Sequence, residues 1–460
     1  TMLNPYDISA LFFNYSNSTY SKDFPIMDVV LNIMQKQEDN DPGRRWRRMF
    51  SGMSDAQRAA IYLDGKSFEQ AIQDKELSQV IFYEMLKLKA NYLKNYVTSK
   101  IPAKEFKQFM SDFAEAHRFS ETTFSELNKE FVEKFHFNLM DLIPGWYTST
   151  KIPVILVKGT AAEEVSIDER TKYVVHFYVH NPTDCEAVIS VEIEERRGGP
   201  RGGRGGGFGA EEEELPTNYI IGPNEYKEIR MLCDERPNNM VINTNIAQNI
   251  PSEVMQNFQK IEEMSTDTTT GIFDIDESVF MLGSDEIVVD NEDKGFRVIE
   301  ANQKNKLQNL FRKESEDKYK NLNFWSPPTR WTATVGISFY GDYINSCMYK
   351  KVGSGNNKAE WTAKIPESGY YEVYVYVPQA PGPRWMNREE NFQYYTVKHD
   401  DGEEEISVKM TGPGSEGWFM LGSFYFSEGD ATVTLSDKGS GARQLIYADA
   451  VKWVYANNNK

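Results

Sequence analysis

The sequence predicts a multidomain α+β protein: an N-terminal α-helical domain, a small immunoglobulin-like β-sandwich, and a C-terminal jelly-roll-like β-sandwich. Three observations carry this. The 460 residues suffice for several domains at roughly 100–200 residues each. Forty per cent hydrophobic and 13% aromatic residues can build packed cores. The apolar period changes near residue 152, from three-to-four to two.

Before that change, Ser or Thr is repeatedly followed three residues later by Gln or Glu. Ser54 with Gln57, Ser67 with Gln70 and Thr123 with Glu126 have capping-box spacing. Phe124, Leu127, Phe131 and Phe135 fall on one helical face, as do Phe106, Phe109 and Phe113. Residues 77–97 form a longer amphipathic helix carrying Val80, Ile81, Met85, Leu88, Tyr92 and Tyr96. Pro102 and Pro144 are read as breaks. This gives a helical domain over 1–150.

Residues 151–250 alternate. TKYVVHFYVHNPTD, EAVISVEIEE and NYIIGPNEYKEIRML are strands separated by turn residues, with MVINTN as a further one. Between two of these strands stands RRGGPRGGRGGGFGAEEEE (196–214), a surface insertion in a hairpin. Residues 251–284, with a helical piece in SEVMQNFQKIEEM and the polar TDTTTG, are read as a linker. From 285 to 456 alternation returns in about eight strands with Gly, Pro and Asn turns, as in a jelly roll. A Lys-, Asn- and Glu-rich insertion at 299–320 is read as helical.

Charge and composition narrow the function. A net charge of −18 and a pI near 4.9 oppose phosphate backbones, so no nucleic-acid partner is expected despite the Arg-Gly repeats. Three cysteines give neither a zinc framework nor a disulfide scaffold; Cys185–Cys233 is the one bridge considered. No run is apolar enough for a membrane span, so membrane attachment is expected only through segments outside this sequence. The opening Thr1-Met2 is expected to mark a processed or excised part of a longer protein. DPGRRWRRMF (41–50) is a basic patch, read as lying along a helix among the abundant acids.

Two resemblances add expectations. FKQFMSDFAEAHRFSETTFSELNKEFVEKFHFNLMDLIPGWYTSTKIPVILV, with Trp146-Tyr147 and Ile152-Pro153, resembles the late helical region of zinc aminopeptidases of the aminopeptidase N class. In that family a small β-sandwich follows, and the resemblance covers about residues 30–250. It implies zinc held by H-E-x-x-H, a spacing that puts two His on one helical face. None of His117, His136, His176, His180 and His399 stands in that pattern. His176 and His180 are four apart on a strand, too distant for one metal. No catalytic residue is therefore carried over.

IVVDNEDKGF, AEWTAKIPESGYYEVYVYVP, GSFYFSEGDATVTLSD and IYADAVKW resemble the golvesin C-terminal family, also described as a xanthan-lyase carbohydrate-binding-like domain. That resemblance implies an exported bacterial protein, periplasmic or at the cell surface, often attached to enzymes acting on polymers. The expected role is non-catalytic binding or assembly, with a polysaccharide or envelope protein as partner. The rival expectation is the C-terminal half of a zinc aminopeptidase-like enzyme whose metal-bearing domain is missing from this chain.

Candidate ligand-binding residues are the loop aromatics Trp325, Trp331, Tyr340, Trp385 and Trp418, with Arg384 and Arg388 beside Trp385 in PQAPGPRWMNREEN. Flat aromatic faces bury the apolar side of a sugar cheaply. The competing reading makes these tryptophans lids on the sandwich core; Trp361 and Trp453, in alternating strands, are read as core outright. No cofactor is expected beyond a candidate structural Ca²⁺ at Asp290, Asp293 and Asp449, where the first and last strands of a jelly roll meet. Against it, Asp and Asn at 290–293 suit an ordinary turn.

Overall fold

The structure is a computed structural model. It describes residues 17–35, 53–195, 216–258, 261–281, 286–301, 318–323, 325–378, 391–410, 417–439 and 444–456. The chain divides into two compact units, one comprising Asp55–Ile275 with the preceding strand and helix, the other comprising Asp276–Lys460.

The first unit begins with β1 (Asn17–Tyr20) and α1 (Met27–Gln35), then α2 (Asp55–Tyr62), α3 (Phe68–Gln73), α4 (Gln79–Thr98) and α5 (Ala103–Ala116). β2 (Ser120–Thr123) pairs in parallel with β1, and α6 (Phe124–Phe135) and α7 (Leu139–Thr148) follow. Ser67 and Thr123 close capping boxes with Gln70 and Glu126, so the N-cap and N3 amides of each helix find acceptors. Phe106, Phe109, Phe113, Phe124, Leu127 and Phe131 are buried as their spacing predicts. Full burial of such side chains contributes about 1.5–3 kcal/mol each. Pro144 does not break the chain; it stands inside α7.

α4 and α7 are locked reciprocally. Lys89 Nζ donates to Trp146 O at 2.6 Å, and Trp146 Nε1 donates to Lys89 O at 3.1 Å. Lys89 is buried, and that burial lowers its ammonium pKa to about 7.

Two sheets complete this unit. One has the order β10-β3-β4-β7-β11, from β3 (Leu156–Ile167), β4 (Arg170–His180), β7 (Tyr226–Cys233), β10 (Glu262–Ser265) and β11 (Gly271–Asp274). The other is β6-β5-β8-β9, from β5 (Ala187–Glu195), β6 (Thr217–Ile221), β8 (Pro237–Asn243) and β9 (Glu253–Asn257). β5 and β6 are antiparallel neighbours, so the Arg-Gly insertion joins two paired strands. The insertion itself lies outside the described residues, as does the basic patch at 41–50.

Two expectations need correction here, and the bridge considered between Cys185 and Cys233 is settled. The linker at 251–284 is absent as such: β9, β10 and β11 pair with β8, β3 and β7. SEVMQNFQKIEEM has helix-forming residues, but pairing with existing sheet edges overrides propensity. The helices and the first sandwich are not independent either. Asn95 Nδ2 donates to Asn245 Oδ1 at 2.7 Å and Asn218 Nδ2 to Thr98 Oγ1 at 2.8 Å, while Ile152 and Ile246 join the helical core. All three cysteines are free, so Cys185 and Cys233 form no bridge.

The second unit opens with α8 (Glu277–Phe280). One sheet runs β12-β23-β17-β20, from β12 (Glu286–Val289), β17 (Gly369–Val377), β20 (Gly417–Phe426) and β23 (Val451–Tyr455). The facing sheet runs β13-β16-β21-β18-β19, from β13 (Phe296–Ile299), β16 (Lys358–Ile365), β18 (Phe392–His399), β19 (Gly402–Lys409) and β21 (Gly429–Ser436). A third, β14-β15-β22, comes from β14 (Thr332–Val335), β15 (Ser346–Lys351) and β22 (Leu445–Ala448). Trp361 and Trp453 are 1% and 0% exposed in a single core, as read from their strands. The first and last strands are neighbours, β12 against β23. Residues 302–317, which hold most of the helix expected at 299–320, lie outside the described residues.

Candidate functional site

Strand β17 determines the site. Its sequence GYYEVYVYV alternates, and the alternation sorts the side chains. Tyr371, Val373, Val375 and Val377 enter the core, all at 2% exposure or less. Tyr370, Glu372, Tyr374 and Tyr376 consequently project from the opposite face. Register extends this face across all four strands. Val288, Lys452, Tyr374 and Met420 form one cross-strand row; Glu286, Val454, Glu372 and Ser423 form the next. Tyr376 lies opposite Trp418.

Three rings cluster at one end of the face. The Tyr340 ring centroid is 5.1 Å from that of Trp418 and 5.6 Å from that of Tyr376, and Tyr376 and Trp418 are 5.3 Å apart. The two Trp418 contacts are edge-to-face, the favourable arrangement for ring quadrupoles. Met420 and Tyr370, 49% and 50% exposed, continue the apolar surface.

Charge surrounds the rings. Lys452 Nζ sits 4.8 Å from the Trp418 centroid and 5.1 Å from that of Tyr374, and donates to Glu286 Oε1 at 2.8 Å. Tyr374 Oη donates to Glu372 Oε2 at 2.5 Å. That hydrogen bond, with burial and the charges of Glu372 and Glu286, raises the Tyr374 pKa to about 12. Burial, then the negative charges of Asp342, Asp290, Glu286 and Asp449, pushes the Tyr340 hydroxyl well above its ordinary value.

Beneath Tyr340 lie two buried carboxyls. Asp449 accepts from Tyr340 N at 3.2 and 3.3 Å, and burial followed by the charge of Asp290 raises its pKa well above the carboxylate range. Asp290 is raised to about 8, mainly by burial and further by Asp293 and Glu292, against a lowering hydrogen bond from the Asn291 backbone. The Cys347 thiol is pushed up by burial and by both carboxyls, which makes it a poor nucleophile. Asp293 is tied to the same turn as Asp290. Its Oδ2 accepts from Asp290 N at 2.8 Å, closing a turn. Among the described residues, no group of three or more His, Cys, Asp or Glu side chains is placed to hold a metal ion.

The structure thus gathers Tyr340 and Trp418 from the sequence-derived candidates. Trp331 is corrected: at 7% exposure it belongs to the core. Trp325, 75% exposed, stands in the loop before β14, its backbone N bonded to Asn323 Oδ1. Arg384, Trp385 and Arg388 lie outside the described residues. Sequence reasoning missed Tyr374, Tyr376, Lys452, Glu286 and Glu372. The signal was present, because valine on one side of an alternating strand leaves tyrosine for the other.

His176 and His180 share β4 but not a site. His180 stacks on Tyr226, with ring centroids 3.7 Å apart. His176 lies 3.4 Å from Glu163 and 3.8 Å from Glu228 through different ring nitrogens.

A family model of the Golvesin C-terminal domain matches residues 319–455. No curated protein matches the chain. Among solved structures, the chain is similar to a Paenibacillus xanthan lyase, with 16% identity and a TM-score of 0.26. That similarity covers 66% of this chain and 26% of the lyase, so the chain spans about a quarter of the lyase's length. A family 35 carbohydrate binding module from Clostridium thermocellum is 13% identical over 36% of this chain and 97% of its own, with a TM-score of 0.23. The K1 cleaved adhesin domain of Lys-gingipain from Porphyromonas gingivalis W83 is 15% identical over 37% of this chain and 99% of its own, with a TM-score of 0.22.

Proposed function

We propose that the second unit is a non-catalytic polysaccharide-binding module of an exported or envelope bacterial protein, and that the outer face of the β12-β23-β17-β20 sheet is its binding surface. The observation that carries this reading is the cluster of Tyr340, Tyr376 and Trp418, continued by Tyr374 and Met420 and edged by Glu286, Glu372 and Lys452. Such a face covers the apolar side of a pyranose while its carboxylates and ammonium hydrogen-bond ring hydroxyls. The golvesin match supports the reading. Among the described residues no helix is long and apolar enough to cross a membrane. Placement in the periplasm or at the cell surface is part of the proposal, and recovery of the protein in the cytosolic fraction of its host would refute it.

Affinity electrophoresis through gels containing neutral and charged polysaccharides tests the binding. At least one polymer should retard the chain. Trp418→Ala should abolish that retardation while leaving the thermal transition within a few degrees, since the ring lies on the surface sheet. Equal retardation of variant and parent would remove this face from the proposal; binding to an envelope protein alone would replace polymer by protein as the partner.

A second reading assigns the first unit to the supporting half of a zinc aminopeptidase-like enzyme. Its favouring observation is the order of helices followed by a sandwich, with α4 packed against β5 and β6. An H-E-x-x-H segment encoded ahead of Thr1 in the full gene product, with zinc and cleavage of aminoacyl anilides in the protein that contains it, would establish it. A full gene product without that motif would leave the binding reading alone.

A further inference from the structure

Resting on that reading, we infer that the polymer selected by the aromatic face is cationic: a chain of amino sugars carrying free ammonium groups. The argument is one of charge around apolar surface. Glu286 and Glu372 stand in the same cross-strand row of the face. Asp342 is exposed close to the ring cluster, and its charge is the leading electrostatic influence on Tyr340. Against these three carboxylates the face sets, among the described residues, a single cation, Lys452, which Glu286 already pairs.

Lys452 shows what the rings accept. Its ammonium rests over two aromatic faces with a carboxylate oxygen at 2.8 Å, the arrangement an ammonium-bearing sugar needs. Glu372, held by the Tyr374 hydroxyl, keeps a second oxygen for an incoming N–H donor. A uronic-acid polymer meets the opposite situation, with its carboxylates brought against Glu286, Glu372 and Asp342. The net charge of −18 extends the preference over distance, because an acidic surface attracts polycations and repels polyanions.

The test compares three soluble probes with the full chain: glycol chitosan (cationic), glycol chitin (its neutral N-acetylated counterpart) and polygalacturonate (anionic). Glycol chitosan, at a pH where its amines are protonated, should bind roughly tenfold more tightly than glycol chitin, and added salt should erode the difference. Polygalacturonate should not bind. Glu372→Gln should shrink the cationic preference several-fold while sparing glycol chitin, and Trp418→Ala should lose both. Equal or tighter binding of glycol chitin overturns the cationic assignment and leaves the polysaccharide-binding reading intact. A chitosan preference unchanged in both variants overturns it too, as bulk attraction of a polyanion. Failure of all three probes, with other polysaccharides also failing to retard the chain, ends both.

Discussion

Asp437→Ala should destabilise the C-terminal sandwich by about 3–5 kcal/mol, the range for removing one partner of a buried ion pair. Lys350 and Asp437 are 87 residues apart in sequence, and their side chains are 2% and 0% exposed. The carboxylate receives four donors. Gly355 N and Asn357 N reach Oδ1 at 2.7 and 3.3 Å; Asn357 Nδ2, at 2.7 Å, and Lys350 Nζ reach Oδ2. Burial raises the Asp437 pKa, but the hydrogen bonds from Lys350 and Asn357 outweigh it and hold the group below its ordinary value. Deletion leaves a buried ammonium and three unanswered N–H donors, each costly away from water. At about 2–4 °C per kcal/mol for a unit of this size, the melting temperature should fall by roughly 10 °C. Lys350→Met should cost less, because three donors still hold Asp437. Gly353 belongs to the same design: a Cβ there would meet Asp437 Oδ2, so alanine would push the carboxylate out of place. Thermal unfolding of the three variants decides it. Near-parental stability for Asp437→Ala would mean the pair is not buried in this way.

The second large effect is a reversed pH dependence. Most carboxylates stabilise a fold when ionised. Asp290 is the opposite, with a folded pKa of about 8 against an ordinary 3.8, and Asp449 is shifted in the same direction. A carboxyl whose folded pKa is raised contributes stability that is complete below the unfolded value and disappears as pH rises through the folded one. The sandwich should therefore lose stability between about pH 4 and pH 8. At about 1.4 kcal/mol for each pH unit between the two values, Asp290 alone sets a ceiling of several kcal/mol. Asp290→Asn should raise the melting temperature at pH 8 and flatten the slope, since an amide carbonyl can still accept the backbone N–H donors. A calcium-dependent rise in melting temperature that grows with pH would contradict this account, because it would show both carboxyls ionised around a cation.

Much of this architecture is legible in local pattern, and what is not has identifiable causes. The Phe-spaced helices α5 and α6 and the alternating strands β16, β17 and β21 follow from period alone, because burial of one face repeats along each element. β9 and β10 were missed because their residues favour helices and only distant sheet edges make them strands. The union of helices and first sandwich depends on Asn95, Asn218 and Asn245, polar side chains with no periodic signature. The Lys350–Asp437 pair likewise joins distant segments. For the candidate site the limitation was different. Aromatic residues in loops drew attention first, and Trp331 proved to be core; the sheet face was readable once the valines of β17 had been assigned inward.

The central claim is that a polymer lies on the Tyr340–Tyr376–Trp418 face. Oxidative footprinting of the full chain, with and without a saturating polysaccharide that retards it, tests this at residue resolution. Trp418, Tyr376 and Met420 should become protected on binding, while the buried Trp361 and Trp453 stay unreactive in both states. Protection confined to other residues, with Trp418 and Met420 oxidised as fast as in the free chain, would contradict the claim.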